Sequence, residues 1–318
     1  MNAATKLGAY VVGLAVVFGG ALGVGSAVGE AGPAPAEPRH EAAHATPAGH
    51  GGHDAGASSA PNDTPGGLQV SQNGYTLNPL TTVKAGEPTD FRFTVTGPDG
   101  EPVTDFQVQH DKKLHFIVVS RDLTTFRHLH PVEAGDGVWS VRLTLKDPGA
   151  YRAFADFLPT GGTGLTLGTD LLVAGDYEPR ALPEARSTAT VDGYTVSLAG
   201  NLIPGQASKL TLSVSKDGEP VTDLQPYLGA YGHLVALRAG DLAYLHVHPE
   251  DSDRAGPDIT FYAEVPSSGD YRLFLDFKHG DEVRTADFTA RAGTGRPEPT
   301  TEPTTEPSAG PSHGDHTH

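Results

Sequence analysis

An internal duplication restricts the fold of this chain more than any other feature. Gly74-Tyr75-Thr76-Leu77 returns as Gly193-Tyr194-Thr195-Val196, and Gly100-Glu101-Pro102-Val103-Thr104-Asp105 returns as Gly218-Glu219-Pro220-Val221-Thr222-Asp223. Tyr151-Arg152-Ala153-Phe154-Ala155-Asp156-Phe157 returns as Tyr271-Arg272-Leu273-Phe274-Leu275-Asp276-Phe277. A repeat of roughly 110 residues is far longer than a solenoid unit and matches an ordinary domain. Two like domains in tandem are expected, with matched residues at equivalent places in each.

Turn signals divide each repeat into short runs. In the first they fall at Gly86-Glu87-Pro88, Gly97-Pro98-Asp99-Gly100, Gly135-Asp136-Gly137 and Asp147-Pro148-Gly149. Between them stand alternating segments such as Phe91-Arg92-Phe93-Thr94-Val95 and Trp139-Ser140-Val141-Arg142-Leu143-Thr144-Leu145. Many short strands at such spacing predict an all-β fold: two tandem immunoglobulin-like antiparallel β-sandwiches. The predicted repeats span 68–175 and 188–292, joined by a charged, Pro-containing linker over 176–187. With no cysteine in the chain, neither disulfides nor thiolate ligands are available, so the cores must hold by packing.

The flanking segments read differently. Lys6 precedes an uncharged run from Leu7 to Gly29, long enough to cross a bilayer as a helix. Residues 1–29 are therefore expected to form a cytoplasmic stub and single-pass transmembrane anchor, with a cleaved signal peptide as the alternative. Either reading puts the bulk of the chain outside the cytoplasm, at the cell membrane or secreted. Residues 30–67 are rich in Ala, Pro and Gly and carry His40, His44, His50 and His53; residues 293–318 form a Pro/Thr/Glu-rich tail ending in His313, His316 and His318. Neither composition can bury a core, and both are expected to be disordered, with histidines that bind metal ions weakly.

Chemistry is concentrated in one hairpin of each repeat. Leu114 to Pro131, LHFIVVSRDLTTFRHLHP, carries His115, His128 and His130. His233, His246 and His248 follow at the same internal spacing within GHLVALRAGDLAYLHVHP, while the residues between them drift: Phe126 becomes Tyr244, and Leu129 becomes Val247. Alternate strand residues share a face, so His128 and His130 point the same way about 7 Å apart. A turn near Arg121–Thr124 brings His115 opposite one of them. Three imidazoles on one face make a metal site; strand-end histidines serving only local hydrogen bonds are the alternative.

Asp156 and Asp276 occupy matched strand positions and are candidates for a fourth ligand, for the acceptor of an imidazole N–H, or simply for turn residues. His110 and His279 have no matched partner and read as surface residues, and the matched Asp105 and Asp223 as turn residues. Apart from the initiator there is no methionine, so the soft ligands that favour Cu(I) are missing. Imidazoles suit Cu(II) first and Zn(II) second. The net charge of −17 argues against nucleic acid and suits attraction of cations.

The pattern from His115 to Pro131 and from His233 to Pro249 resembles bacterial exported, membrane-anchored proteins with YtkA-like, immunoglobulin-like domains linked to heavy-metal handling. The resemblance covers both repeats and implies copper or related metal binding outside the membrane. The leading expectation is a membrane-tethered protein that captures, buffers or passes on Cu(II) or Zn(II) through its histidine triads. Its partners would be metal ions, the membrane, and a membrane metal transporter or copper protein. Duplication suggests two equivalent ions per chain, with pairing of the two sites across an interdomain contact left open. A metal-dependent enzyme with an open three-His site is one alternative; a tandem-sandwich interaction module with structural histidines is another.

Overall fold

The computed structural model describes residues 64–245 and 247–293. The expected N-terminal anchor, nearly all of the expected linker and C-terminal tail, and His246 lie outside these residues. Every element among them is a β-strand, and no helix there is long and apolar enough to cross a membrane.

Each repeat is a two-sheet antiparallel sandwich. In the first, the outer sheet runs in the order Ser71–Gln72, Tyr75–Pro79, Thr89–Thr96, Val138–Leu143, Val132–Glu133. The other sheet, termed inner here, runs Leu165–Val173, Gly149–Pro159, Leu114–Ser120, Phe126–Leu129. The second repeat reproduces this order. Its outer sheet is Thr188–Val191, Tyr194–Ala199, Ala207–Lys216, Asp258–Glu264, Val247–Pro249, and its inner sheet is Glu282–Ala292, Gly269–His279, Gly232–Arg238, Tyr244–Leu245.

Period-two patterning sets the faces. In Thr89–Thr96, Phe91, Phe93 and Val95 are buried while Asp90 and Arg92 are exposed. Phe93 stacks on Phe116 across the first sandwich at 4.7 Å, and Phe106 meets Trp139 edge-on at 5.4 Å. The second core gathers Tyr194, Phe261, Phe277 and Phe288 in the same way. Tyr151 and Tyr271 each donate their hydroxyl to a backbone carbonyl four residues upstream, at Asp147 and Ser267. This corner is shared with immunoglobulin-like sandwiches.

A third core decides the architecture. Leu114–Ser120 is buried at all seven positions, because both of its faces are covered. Leu114, Phe116 and Val118 point into their own sandwich. Ile117 and Val119 instead join Leu123, Phe154, Val235, Leu237, Leu242, Tyr244 and Phe274 in a cluster drawn from both repeats. The inner sheets thus pack on one another, and each fully buried large apolar side chain contributes about 1.5–3 kcal/mol. Matched residues exchange roles across the contact. Phe126 stacks on Phe274 at 4.1 Å, while its counterpart Tyr244 lies 5.7 Å from Phe154, the counterpart of Phe274. The two repeats are related by a near-twofold axis through this layer.

The two histidine hairpins are not equal. In the first, Phe116↔Leu129, Ile117↔His128 and Val119↔Phe126 keep the returning strand in the inner sheet through Leu129. In the second, pairing stops at Ala236↔Leu245, and Val247–Pro249 crosses to the outer sheet, where His248 faces Tyr262. The two hairpins therefore place their last histidines differently: His248 is exposed on another sheet, whereas His130 stays beside its own hairpin.

Candidate metal centre

His115 shares the face of Ile117 and Val119, so it points into the layer between repeats and is 3% exposed. His128, paired with Ile117, points the same way, and its side chain is 2% exposed. His233, the counterpart of His115, enters from the other repeat, and the two rings stack 5.4 Å apart with planes 8° from parallel. One ligand nitrogen from each of His115, His128 and His233 lies within 4.8 Å of the other two. The duplication thus brings matched histidines of the two repeats together around one place.

His130 lies beside two of these imidazoles, 4.8 Å from His128 and 5.3 Å from His115 between centroids. Its Nε2 is buried without a hydrogen-bond partner. Leaving such a nitrogen unsatisfied costs about 1–3 kcal/mol. Two imidazoles on a common ion, with metal–nitrogen bonds of about 2.0 Å, hold their centroids roughly 4.5–6.4 Å apart. The separations of His115 from His128, His130 and His233, and of His128 from His130 and His233, 4.8 to 5.4 Å, fall inside that range.

Hydrogen bonding fixes where the lone pairs point. His115 Nε2 lies 3.1 Å from the Gln109 carbonyl, which can only accept, so Nε2 carries the proton and Nδ1 the lone pair. His128 Nδ1 lies 2.7 Å from an Asp276 carboxylate oxygen, so Nδ1 carries a proton and donates it there. Asp276 comes from the other repeat, is 2% exposed, and accepts from the Thr285 hydroxyl on its second oxygen. The two remaining nitrogens, His115 Nδ1 and His128 Nε2, face each other at 3.1 Å. With both rings neutral, two acceptors would oppose each other with nothing between. A proton on His128 Nε2 satisfies both nitrogens, and so does a metal cation between them; carboxylate–imidazole pairing is the usual way of orienting a metal ligand.

Burial favours the uncharged rings that ligation needs. It pushes His115 down to about 4, with the Gln109 carbonyl opposing, and His130 down to about 3. His233 is lowered well below the ordinary histidine value by the same desolvation. Tyr227, 6.0 Å from the His130 ring, is raised to about 12 by burial and then by the Asp276 charge. It stays a neutral phenol.

The other expected residues are placed apart or differently. Asp156 lies opposite His115 in the strand register and takes a hydrogen bond from the Thr166 hydroxyl at 2.9 Å. His279, expected at the surface, is half-buried between the Tyr194 hydroxyl at 2.7 Å and Asp223 at 3.0 Å. His246 and the seven histidines of the linker and tail are outside the described residues. Sequence reasoning missed the Gln109 carbonyl, which has no residue-type signature, and Tyr227. It also set aside His110, whose ring lies 5.7 Å from His233 and 6.2 Å from His115.

Fold and site together define a tandem immunoglobulin-like sandwich protein with a cluster of histidines in the layer between its repeats. The chain belongs to the family described as Domain of unknown function (DUF8832), which it matches twice, over residues 69–173 and 189–294. No curated protein matches the chain. Among solved structures it is similar to a chimeric titin Z1Z2-Z1Z2 tandem, with 16% identity, 68% of this chain and 97% of that chain covered, and a TM-score of 0.18. Domains 5–6 of the S-layer protein SbsC give 13% identity, coverage of 69% and 98%, and a TM-score of 0.21. Bovine butyrophilin gives 9% identity, coverage of 69% and 99%, and a TM-score of 0.19.

Proposed function

We propose that this protein binds one divalent transition-metal ion, Cu(II) ahead of Zn(II), between its two repeats. His115, His128 and His233 are the ligands, with His130 as the fourth. The observation that carries the reading is the convergence of His115, His128 and His233, one ligand nitrogen of each lying within 4.8 Å of the other two. Neutral imidazoles without thiolate or thioether partners suit Cu(II) and Zn(II) rather than Cu(I). The resemblance of the histidine hairpins to YtkA-like heavy-metal-handling domains favours the same chemistry. With the apolar run from Leu7 to Gly29 as anchor, the protein would hold this site outside the cytoplasmic membrane, and the histidines of its linker and tail would gather ions nearby.

The test is Cu(II) titration of the full chain by calorimetry and paramagnetic resonance. The same titration of the His115→Ala/His128→Ala/His233→Ala variant subtracts the histidines elsewhere. The expected difference is one tightly bound Cu(II) per chain with nitrogen hyperfine structure. Identical isotherms and spectra for the two proteins would refute the reading.

A further inference from the structure

A buried site needs a route by which a hydrated ion can shed its waters. His115 and the side chains of His128 and Asp276 are each at most 3% exposed. A cation entering this layer must exchange aqua ligands for imidazoles stepwise, because losing them all at once in an apolar surround is prohibitive. The rings of the cluster differ in exposure: His130 and His233 are intermediate, and His110 is exposed. His110 is exposed, yet its ring centroid lies 5.7 Å from His233 and 6.2 Å from His115. Both separations fall within the roughly 4.5–6.4 Å that two imidazoles on one ion span.

The backbone around His110 is also unusual. Gln109 and Lys112 pair across a tight turn in which His110 and Asp111 both have positive φ, 48° and 61°. This left-handed conformation is uncommon outside glycine, although His and Asp are among the residues that tolerate it. The matching turn of the second repeat, Tyr227 to Ala230, places Leu228 and Gly229 at the same two positions. Leu228 is buried, 5% exposed. The turn therefore does not require histidine: the matching turn, which also borders the cluster through Tyr227, carries leucine there. The Gln109 carbonyl of the same turn accepts the His115 Nε2–H, so the element that presents His110 also holds the ligand beneath it.

We propose that His110 is the entry ligand of the buried centre: it takes an aquated Cu(II) from solvent and passes it to His115 and His233. The inference rests on the metal-site reading above and adds the path by which the site fills. In the transfer, His110 displaces one water, His115 and His233 displace others, and His110 then departs as His128 closes the ligand set. No bond other than metal–ligand bonds forms or breaks. Because His110 takes part in the crossing and not in the resting site, it lowers one barrier that filling and emptying share.

The experiment is stopped-flow absorbance of the full chain with aquated Cu(II) for loading, and with excess chelator for release. Wild type is compared with His110→Asn, which keeps a side chain tolerant of the left-handed turn. A His110→Leu variant, copying Leu228, guards against an effect peculiar to Asn. Traces from His115→Ala/His128→Ala proteins are subtracted to remove the other histidines. Both association and dissociation should slow about tenfold, equivalent to about 1.4 kcal/mol on a shared barrier, with the equilibrium constant nearly unchanged. Unaltered rates would overturn the inference, and so would faster release with unaltered association, which would make His110 a resident ligand. If the wild-type signal equals that of the subtracted protein, the buried site itself is absent and the proposed function fails with it.

Discussion

Replacing Asp276 by Asn tests the centre without touching a ligand. Asp276 is 2% exposed, bonds His128 Nδ1 at 2.7 Å from the opposite repeat, and takes a second bond from Thr285. Asn has the same shape and can still accept from the imidazole, so the fold is retained while the buried negative charge is lost. Through the imidazole, an ion on His128 Nε2 sits about 6–7 Å from that charge. At an effective dielectric of about 20, their attraction is about 2.5 kcal/mol per unit of ionic charge. Solvation of the hydrated ion offsets part of this, and loss of such an orienting carboxylate typically lowers affinity about 10- to 100-fold. Asp276→Asn should therefore weaken Cu(II) binding by one to two orders of magnitude, measured by competition against a chelator of known affinity. The unfolding midpoint in a metal-free buffer should move far less than it would for a core truncation. Affinity within about twofold of wild type would refute the argument, because a divalent ion on His128 could not be indifferent to that carboxylate.

Acid should destabilise the protein through the same histidines. Burial lowers His115 from 6.5 to about 4 in the folded state, so between those values the unfolded chain binds the extra proton and stability rises with pH. His115 contributes a loss of about 3 kcal/mol as pH falls from 6.5 to 4; urea midpoints at several pH values, with a shallower slope in His115→Gln, check it. A Cβ at Gly168 would lie 2.0 Å from the Gly67 carbonyl, whereas one at Gly164 would meet nothing within 4 Å. Gly168→Ala should lower stability by about 1–3 kcal/mol and Gly164→Ala should leave it nearly unchanged, both read by thermal unfolding. Phe274→Ala removes the ring stacked on Phe126 at 4.1 Å and should cost about 3–5 kcal/mol, read by urea unfolding. Its second expected effect is weaker Cu(II) binding, since the layer that aligns His233 with His115 is loosened.

The duplication, the sandwich class and the histidine hairpins were legible because each is written in local pattern. Period-two alternation in Thr89–Thr96 announces a strand with one wet face, and the turn between Ser120 and Thr125 follows from two runs that read as hairpin arms. The meeting of the repeats was written more faintly. Val118 and Val119 are both apolar, as are Phe116 and Ile117, and such an unbroken run signals cover on both sides of a sheet without saying what supplies it. What covers the second face is the matching run of the other repeat, and a contact between like faces generates a near-twofold axis. On that axis, residues with the same place in each repeat meet one another, as His115 meets His233. The in-step spacing of His115 and His233 thereby places both in one cluster built from the two repeats. The failures of the pattern mark where the symmetry breaks. After Leu245 the second hairpin leaves its sheet, which carries His248 away while His130 remains. Position 110 holds an exposed histidine where position 228 holds a buried leucine. A partly buried histidine and an exposed one on the same side follow from those two departures, so the duplicated scaffold supplies the histidine cluster and its asymmetry sets what surrounds it.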